Sequence, residues 1–277
     1  MSSNNFRVAF LGQRGSYSEA AAVKFFDNTV QTISYKDFDD IFDAVTNGQV
    51  DRGILPLENS LAGSIHRNYD LLLRHQLSIV GETQIHIAHQ LIALPGVVLA
   101  DIRRVYSHPQ PLAQCERSLD KLLPAAARIS TYDTASSVKL LKDEIITDGA
   151  ALASKRAAEI YQMNILQPDM QDNPENYTRF VVVAREPVEP VGEAKTSVVF
   201  AMDNVPGSLF KSLAVFALRD IDLTKIESRP LQGKRWQYFF YIDFIGSIHE
   251  ERCKNALNHL QEITTYFRVL GSYPRGV

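Results

Sequence analysis

A hydroxyl and a guanidinium stand side by side at the head of an apolar, strand-like run in the segment NYTRFVVVAR, residues 176–185. Because side chains alternate along a strand, Thr178 and Phe180 are predicted to share one face and Arg179 to take the other. An ordinary buried sheet would use Thr178 as a β-former and Arg179 as a salt-bridge partner. The same kind of polar donor recurs at the ends of several other strands, and this recurrence favours a functional site.

Three further segments share one design, in which a strand ends, small polar residues follow and a helix begins. They are GQRGSYSEA (12–20), SHPQPLAQ (107–114) and YDTASSVK (132–139). Helix N-termini expose unpaired N–H groups and a partial positive charge, so each segment is a candidate seat for a carboxylate at the C-terminal edge of a sheet. Ordinary N-capping by serine and threonine explains each one alone. The three together, without a phosphate-loop signature, indicate a small anion with more than one carboxylate.

The segment PLENSLAG (56–63) places Glu58, Asn59 and Ser60 just past an apolar strand. Either these residues form a turn in which Asn59 and Ser60 cap the next helix, or they line a cleft edge with an acceptor, an amide and a hydroxyl. The segment alone does not decide between the two interpretations.

The sequence has seven histidines. Only His108, between Ser107 and Pro109 at a predicted strand end, is placed like a cleft residue. His86 and His89 are three residues apart in a strand-like run, so they are predicted to point to opposite faces and not to share a metal ion easily. No metal site is predicted.

The elements that carry these residues alternate between strand and helix. Strands are predicted at 6–11, 77–94 (one or two), 103–109, 127–133 and 149–153, and helices at 38–48, 64–75, 111–122, 134–145 and 155–161. This alternation predicts two α/β lobes with mainly parallel sheets within residues 1–185. Residues 186–195, which contain Pro and Gly and no apolar period, are predicted to be a linker. Residues 196–277 show the order βαββαβ of a ferredoxin-like unit, in which Pro230 predicts an edge strand or a bulge.

Composition excludes several classes of function. A chain of 277 residues is long enough for two domains, and its net charge of -3 with a pI of about 6.2 gives no basis for electrostatic binding to nucleic acid or to an anionic membrane. The two cysteines form no CxxC pair, which argues against a disulfide framework or structural zinc. No secretory signal and no run of about 18 apolar residues is found, so we expect a reduced, cytoplasmic location without a membrane span.

On these segments, the chain resembles prephenate dehydratases that carry a C-terminal ACT regulatory domain. The resemblance runs from Val8 to Tyr273 and rests on GQRGSYSEAA, LPLENSLAGSI, SHPQPLAQC, DTASS, the ALAS-to-NYTRF segment, PGSL and ESRP, in the family's order. It implies an α/β catalytic domain with two lobes like those of periplasmic binding proteins, an active site between the lobes, and a ferredoxin-like ACT domain. The implied reaction uses no cofactor: prephenate loses CO2 and water to give phenylpyruvate in phenylalanine biosynthesis.

The resemblance also implies the site residues. The family's essential threonine falls on Thr178, which we expect to donate a hydrogen bond to the departing hydroxyl, while Glu58 or His108 supplies or polarises the proton. The implied substrate-binding residues are Ser16, Asn59, Ser60, Ser107, Thr134 and Arg179. Effector phenylalanine is expected to inhibit the enzyme by binding through Asn204, Pro206, Gly207, Ser208, Leu209, Glu227, Ser228 and Arg229.

The expected partners are the substrate, phenylalanine and further copies of the chain, as a dimer or a dimer of dimers (a homotetramer) formed through the ACT and catalytic domains. The segment SIHRNYDLLLRHQLSIVGE (64–82) is also similar to plant-type arogenate dehydratases, so arogenate remains an alternative substrate. A non-catalytic amino-acid sensor is a further alternative, although no output module is found. Gln13 and Ser16 stand where the family has proline and threonine, Pro111 and Ser208 where it commonly has alanine; the hydroxyl survives at Ser16, and Ser208 could change inhibitor affinity.

Overall fold

The structure, a computed structural model, describes residues 6–231, 233 and 236–276. Residues 1–5, where the expectation of a missing secretory signal begins, and residue 277, the end of the predicted ACT domain, lie outside the described residues. The chain forms two compact units, Met1–Asn68 with Thr83–Phe180 and Tyr69–Glu82 with Val181–Val277. The predicted boundaries at 185 and 196 remain predictions.

Strands and helices alternate through the described residues. The strands are β1 (Arg7–Leu11), β2 (Gln31–Tyr35), β3 (Arg52–Asn59), β4 (Gly63–Ser64), β5 (Ser78–His86), β6 (Gln90–Ala93), β7 (Arg104–Ser107), β8 (Ala127–Ser130), β9 (Gly149–Ala153), β10 (Asn164–Gln167), β11 (Tyr177–Ala184), β12 (Ala194–Ala201), β13 (Leu223–Pro230), β14 (Tyr238–Ile245) and β15 (Tyr266–Pro274). The helices are α1 (Tyr17–Phe26), α2 (Phe38–Thr46), α3 (His66–Arg74), α4 (Pro109–Gln114), α5 (Glu116–Leu122), α6 (Thr134–Asp143), α7 (Lys155–Tyr161), α8 (Ser208–Ala217) and α9 (Glu251–Glu262).

Two sheets contain the strands of the first unit, and two of these strands, β5 and β11, continue past the unit's limits at Thr83 and Phe180. One has the order β2-β1-β3-β11-β5 with β4 attached to β3, and β1 runs parallel to both β2 and β3. The other has the order β10-β6-β9-β7-β8, in which β7 runs parallel to β8 and β9, and β6 runs antiparallel to β9 and β10. The two predicted α/β lobes are thereby confirmed, whereas the prediction of mainly parallel sheets fails in the second sheet, where two of the four pairings are antiparallel.

Two features of the first unit differ from the sequence-based expectation. The structure adds β2 and β10, which lie at sheet edges and whose side chains are largely exposed, so their apolar signal is weak. The single helix predicted at 111–122 is wrong, because the backbone leaves helical values at Cys115 (φ -115°, ψ 15°) and α5 starts anew at Glu116. Asp172 caps this second start by accepting hydrogen bonds from the backbone N–H groups of Arg117 and Ser118, each over 2.9 Å.

The C-terminal part of the second unit has the predicted ferredoxin-like topology. Its elements follow the order β12-α8-β13-β14-α9-β15, and the antiparallel sheet has the order β13-β14-β12-β15. The edge strand predicted from Pro230 is confirmed, because β13 lies at one edge of this sheet. Strand β12 begins at Ala194, inside the predicted linker, and its Lys195 is buried in a pairing with Glu82 at 2.6 Å.

Residues 69–82 belong to the second unit through specific contacts. The guanidinium of Arg268 donates to the carbonyls of Leu72, His75 and Leu77 over 3.0, 3.1 and 2.8 Å. A Cβ at Gly271 would lie 2.0 Å from the carbonyl oxygen of Ile79, so only glycine fits there. A segment far away in sequence therefore completes this unit.

Candidate active site

A cavity of about 490 Å³ lies within the first unit, a size typical of small-ligand sites. It is lined from both lobes by residues that follow the C-terminal ends of the parallel strands β1, β7 and β8, as open α/β folds place their ligands. Five of the predicted site residues line it together: Ser16, Asn59, His108, Thr134 and Thr178. Segments more than 150 residues apart in sequence thus meet at one cavity.

Asn59 holds the hydroxyl of Thr178 in the cavity wall. Its Nδ2 donates to Thr178 Oγ1 over 3.0 Å, while its Oδ1 accepts from the backbone N–H groups of Leu61 and Ala62 over 3.1 and 2.8 Å. Both side chains are nearly buried. Because Thr178 Oγ1 already accepts a hydrogen bond, its own proton remains to be donated, and no described residue accepts it.

Strand alternation along β11 decides which of its residues reach the cavity. Thr178 and Phe180 line it and Arg179 does not, which confirms the predicted alternation along β11. Along β3, Asn59 lines the cavity and Glu58 does not. The predicted roles of Glu58 and Arg179 therefore have no support from the lining of this cavity.

Two predicted serines also lie outside the lining. Ser107 is fully buried and its Oγ donates to the carbonyl of Leu152 over 2.7 Å. Ser60 Oγ donates to Glu175 O over 2.8 Å and accepts from Tyr177 N over 2.9 Å. Both hydroxyls are used within the fold, where they hold strand ends together.

The first predicted carboxylate seat is the start of α1. Ser16 is its N-cap, because its Oγ accepts from Glu19 N over 3.3 Å, so ordinary capping and a place in the cavity occur together. Tyr17 and Ser18, at the first two helical positions, also line the cavity, and their backbone N–H groups have no partner inside the helix. An anion placed at this end would also be favoured by the helix dipole.

The buried carboxylate of Glu19 shapes the turn that precedes this helix. It accepts from Gly15 N over 2.6 Å and pairs with Arg156 Nε at 3.1 Å. Gly15 has a φ of 89°, and a Cβ there would lie 2.7 Å from the Cα of Ala157 in α7. Only glycine fits this close approach between the loop and the helix.

The second seat, the start of α4, is capped by His108. Its ring Nδ1 accepts from Gln110 N over 3.3 Å, so in the neutral ring the proton is on Nε2. The residue is exposed at the cavity. Nε2–H is thus a donor that a ligand could use.

The third seat, the start of α6, differs from the expectation. Asp133, and not a serine or threonine, is the N-cap: its Oδ1 accepts from Ser136 N over 2.6 Å. Its Oδ2 is buried and accepts no hydrogen bond from any described residue. Thr134 does line the cavity, but the helix end beside it already holds a carboxylate of the chain itself, and this would repel an anion.

A polar cluster that sequence reasoning did not select lies in the same cavity wall. Tyr17 OH is 3.0 Å from His89 Nδ1, His89 Nε2 is 3.1 Å from Gln114 Oε1, and Asn176 Nδ2 donates to the same oxygen over 3.2 Å. Tyr17, His89 and Gln114 line the cavity. The prediction that only His108 is placed like a cleft residue is therefore wrong: His89 follows β5 after a short connection, and two isolated histidines in one run gave no sign of which would be enclosed.

Burial sets the titration of these groups. It raises the pKa of Tyr17 well above its usual range and lowers the pKa of His89, although the hydrogen bond to Gln114 opposes the latter shift. Burial also raises the pKa of the Cys115 thiol to about 12. At neutral pH Tyr17, His89 and Cys115 are therefore all uncharged.

The second unit contains a cavity of about 430 Å³ at the start of α8. Of the predicted effector residues, Asn204, Gly207, Ser208 and Leu209 line it, and Pro206, Glu227, Ser228 and Arg229 do not. Arg229 instead pairs with the carboxylate of Asp70, its Nη2 lying 2.8 Å from Oδ2. One chain thus does not bring the two predicted effector segments together.

Among residues 6–231, 233 and 236–276, no cluster of three or more His, Cys, Asp or Glu side chains could hold a metal ion. No helix in the same residues has both the length and the apolar character that a membrane span requires.

A family model for prephenate dehydratase matches residues 8–188. The chain belongs to the prephenate dehydratase family. The family's members are hydro-lyases, so the predicted enzyme class and the predicted resemblance are confirmed. A relative from Arabidopsis thaliana, arogenate dehydratase/prephenate dehydratase 2, chloroplastic, is 52% identical over 97% of this chain and 72% of its own length.

Solved structures similar to this chain confirm the predicted fold class. Prephenate dehydratase from Arthrobacter aurescens in complex with L-Phe has a TM-score of 0.88 and 34% identity, covering 97% of this chain and 90% of that chain. GqqA, described as a novel type of quorum quenching acylase, has a TM-score of 0.89 and 30% identity, and the match covers 97% of this chain and 98% of that chain.

The same comparison overturns the expectation of a cytoplasmic location, because the Arabidopsis relative is chloroplastic. The expectation rested on the lack of a secretory signal and of a membrane span. Those features separate secreted and membrane proteins from the rest and do not distinguish among the remaining compartments.

Proposed function

We propose that this prephenate dehydratase family member converts prephenate to phenylpyruvate in the cavity of the first unit. The observation that carries the proposal is the hydroxyl proton of Thr178. Its Oγ1 accepts a hydrogen bond from Asn59, and no described residue accepts its proton, so the O–H group can donate to a ligand in the cavity. The substrate's ring hydroxyl must leave as its ring carboxylate is lost, and a hydrogen bond that strengthens as the C–O bond breaks stabilises the transition state selectively.

His108 is the better placed of the two predicted acids. It lines the cavity with Nε2–H available, whereas Glu58 does not line the cavity. We assign to His108 a hydrogen bond from Nε2–H that polarises the departing hydroxyl, with Thr178 as the hydrogen-bond donor that orients it; the hydroxide is protonated by solvent and leaves as water. The start of α1, capped by Ser16, binds the side-chain carboxylate.

The test compares Thr178→Val with Thr178→Ser. Valine keeps the shape and removes the hydroxyl, and we expect kcat to fall by about 10²–10³, the effect of losing one transition-state hydrogen bond. Serine keeps the donor and should retain most of the activity. Phenylpyruvate formation is followed by its absorbance, and a near-normal kcat for Thr178→Val would remove Thr178 from the mechanism.

Arogenate is a second candidate substrate, and the buried carboxylate of Asp133 favours it. Arogenate carries an ammonium group where prephenate carries a keto group. The side chain of Asp133, which lines the cavity and has one carboxylate oxygen that no described residue satisfies, would stabilise a cation near this wall. In Asp133→Asn, which keeps an N-cap side chain, the ratio of kcat/KM for arogenate over prephenate should fall about tenfold, since a hydrogen bond to a charged group contributes about 1.5–3 kcal/mol. An unchanged ratio would exclude this role.

Acyl transfer, the activity named for GqqA, gains no support from Ser16, Thr178 or Cys115. The Ser16 hydroxyl donates to Leu11 O and the Thr178 hydroxyl is bonded to Asn59, so neither contacts a histidine. The thiol of Cys115 stays protonated at neutral pH because its pKa is raised to about 12.

Phenylalanine is the proposed effector, and the cavity of the second unit is its proposed site. The Arthrobacter structure contains L-Phe, and the cavity offers Asn204 and the residues at the start of α8. Since β13 is an edge strand and Phe210 of α8 is 75% exposed, we also propose that copies associate through this unit as a dimer or homotetramer. Light scattering gives the oligomer, and titration calorimetry with L-phenylalanine tests the site; no heat of binding at millimolar ligand would reject it.

A further inference from the structure

His89 is the buried ring at the centre of the polar cluster in the cavity wall. Only 1% of its surface is exposed, and both ring nitrogens have a side-chain partner. Tyr17 packs edge-on against it with ring centroids 5.6 Å apart. The mechanism assigned above to Thr178 and His108 does not use this residue.

The direction of the hydrogen bonds can be followed from the backbone to this ring. The N–H groups of Leu61 and Ala62 donate to Asn59 Oδ1, which fixes the orientation of that amide. Asn59 Nδ2 therefore donates to Asn176 Oδ1 over 2.8 Å, and Asn176 Nδ2 in turn donates to Gln114 Oε1. The oxygen of Gln114 is thus the atom that faces the cluster.

The same reasoning fixes the proton on the histidine. Gln114 Oε1 is an acceptor, so His89 Nε2 must carry a proton to donate to it. In the neutral ring His89 Nδ1 is then unprotonated, and it lies 3.0 Å from the hydroxyl of Tyr17, which also donates to the carbonyl oxygen of Ala88 over 2.9 Å. Burial favours this neutral form, because it lowers the pKa of the ring.

On the basis of the proposed function, we propose that His89 is a positioning residue that orients Gln114 to bind a carboxylate of the substrate. His89 and Asn176 both donate to Oε1 of the Gln114 amide. If this amide rotated by 180°, its own N–H groups would face these two donors, so the observed orientation is favoured. Gln114 lines the cavity, and no described residue accepts from its Nε2. The two N–H groups of Gln114 Nε2 are therefore available to a carboxylate of the ligand. They replace the predicted carboxylate site at the start of α6, where Asp133 already lies.

Kinetics of two variants test the role. His89→Phe keeps an aromatic ring and removes the donor, and we expect KM to rise about tenfold, corresponding to about 1.4 kcal/mol of lost binding, with a smaller effect on kcat. His89→Gln restores an N–H donor at the position of Nε2 and should recover KM to within about threefold, or about 0.7 kcal/mol. A KM for His89→Phe equal to that of the unaltered enzyme would overturn the proposal.

A double-mutant cycle separates positioning from a general effect on packing. If His89 acts through Gln114, then His89→Phe should change KM little once Gln114→Ala is present. Full additivity of the two changes in KM would overturn the proposal, because a merely structural histidine acts independently of that amide. Circular dichroism of each variant at the assay temperature shows that the folded protein is being compared.

The tautomer is measured without any turnover. Nitrogen-15 spectra of histidine-labelled protein should show His89 as the neutral Nε2–H form at pH 7.5, identified by loss of its signals in His89→Gln. An Nδ1–H form or a doubly protonated ring would overturn the proposal. Neither result depends on the role of Thr178, so a failure here is distinct from a failure of the proposed reaction.

Discussion

At the residue scale, the chemistry of this site depends on amides that hold other groups in place. Asn59 connects the backbone of the PLENS turn to the hydroxyl of Thr178, and its amide also begins the hydrogen-bond chain that ends at His89. A turn-capping interpretation and a cleft interpretation of Asn59 were both open from sequence. The structure shows that one side chain does both, because its oxygen caps the turn and its nitrogen faces the cavity residues.

The buried neutral ring of His89 predicts a dependence of stability on pH. Its folded pKa lies below the ordinary histidine value of about 6.5, so between the two values the unfolded chain binds more protons. The stability that the neutral ring contributes is complete above about pH 6.5 and is lost as pH falls through that window. The polar groups that contact the ring are the uncharged Tyr17 and Gln114.

Urea unfolding of the unaltered protein and of His89→Gln at pH 7.5 and 5.5 measures this effect. Relative to the variant, the unaltered protein should lose up to about 1.4 kcal/mol of unfolding free energy at pH 5.5, since one pH unit below the ordinary pKa corresponds to that amount. Comparison with the variant removes the contribution of the other histidines. Equal losses in both proteins would contradict a lowered pKa.

At the element scale, the close approach of the first loop to α7 depends on one glycine. Gly15→Ala would place a Cβ 2.7 Å from Ala157 Cα at a φ of 89°, so both contact and conformation are unfavourable. We expect the unfolding free energy to fall by more than about 1 kcal/mol. Thermal or urea unfolding measures the change.

Gly96→Ala is the matched control for that substitution. Gly96 has a φ of 87°, but a Cβ there meets nothing within 4 Å, so it carries the conformational strain without the clash. The difference between the two variants isolates the contact with α7. Equal destabilisation would show that the loop moves away from α7 at no further cost.

At the scale of the whole molecule, the second unit is built from two separate parts of the chain. Residues 69–82 supply the three carbonyls that Arg268 binds and the backbone that packs on Gly271. We therefore expect residues 194–277 expressed alone not to unfold cooperatively. A fragment with a sharp thermal transition would instead support the sequence-based boundary at residue 196.

A substitution in the full chain also measures how far the stability of the second unit depends on residues 69–82. Arg268→Ala should lower the unfolding free energy by about 1.5–3 kcal/mol, because hydrogen bonds to a charged donor are lost and carbonyls lose their partner. Arg275→Ala is the matched control, since its exposed pairing with Glu193 has little effect on stability. Similar losses in both variants would argue against a special role for Arg268.

The amino-acid sequence by itself determined the family, the alternation of strands and helices, the ferredoxin-like order and the hydroxyl at Thr178. These follow from local patterns, because period, capping residues and motif spacing are properties of short segments. It also determined that Thr178 and Arg179 face apart, since alternation along a strand is local.

Only the tertiary structure decided which polar residues share the cavity. His89, Tyr17 and Gln114 meet there because chain segments far apart in sequence converge, whereas Ser107 and Ser60 bond within the fold. It also showed that Asp133 already occupies the start of α6, and that residues 69–82 complete the second unit. Such outcomes depend on the distances between remote segments, and local propensity carries no information about those distances.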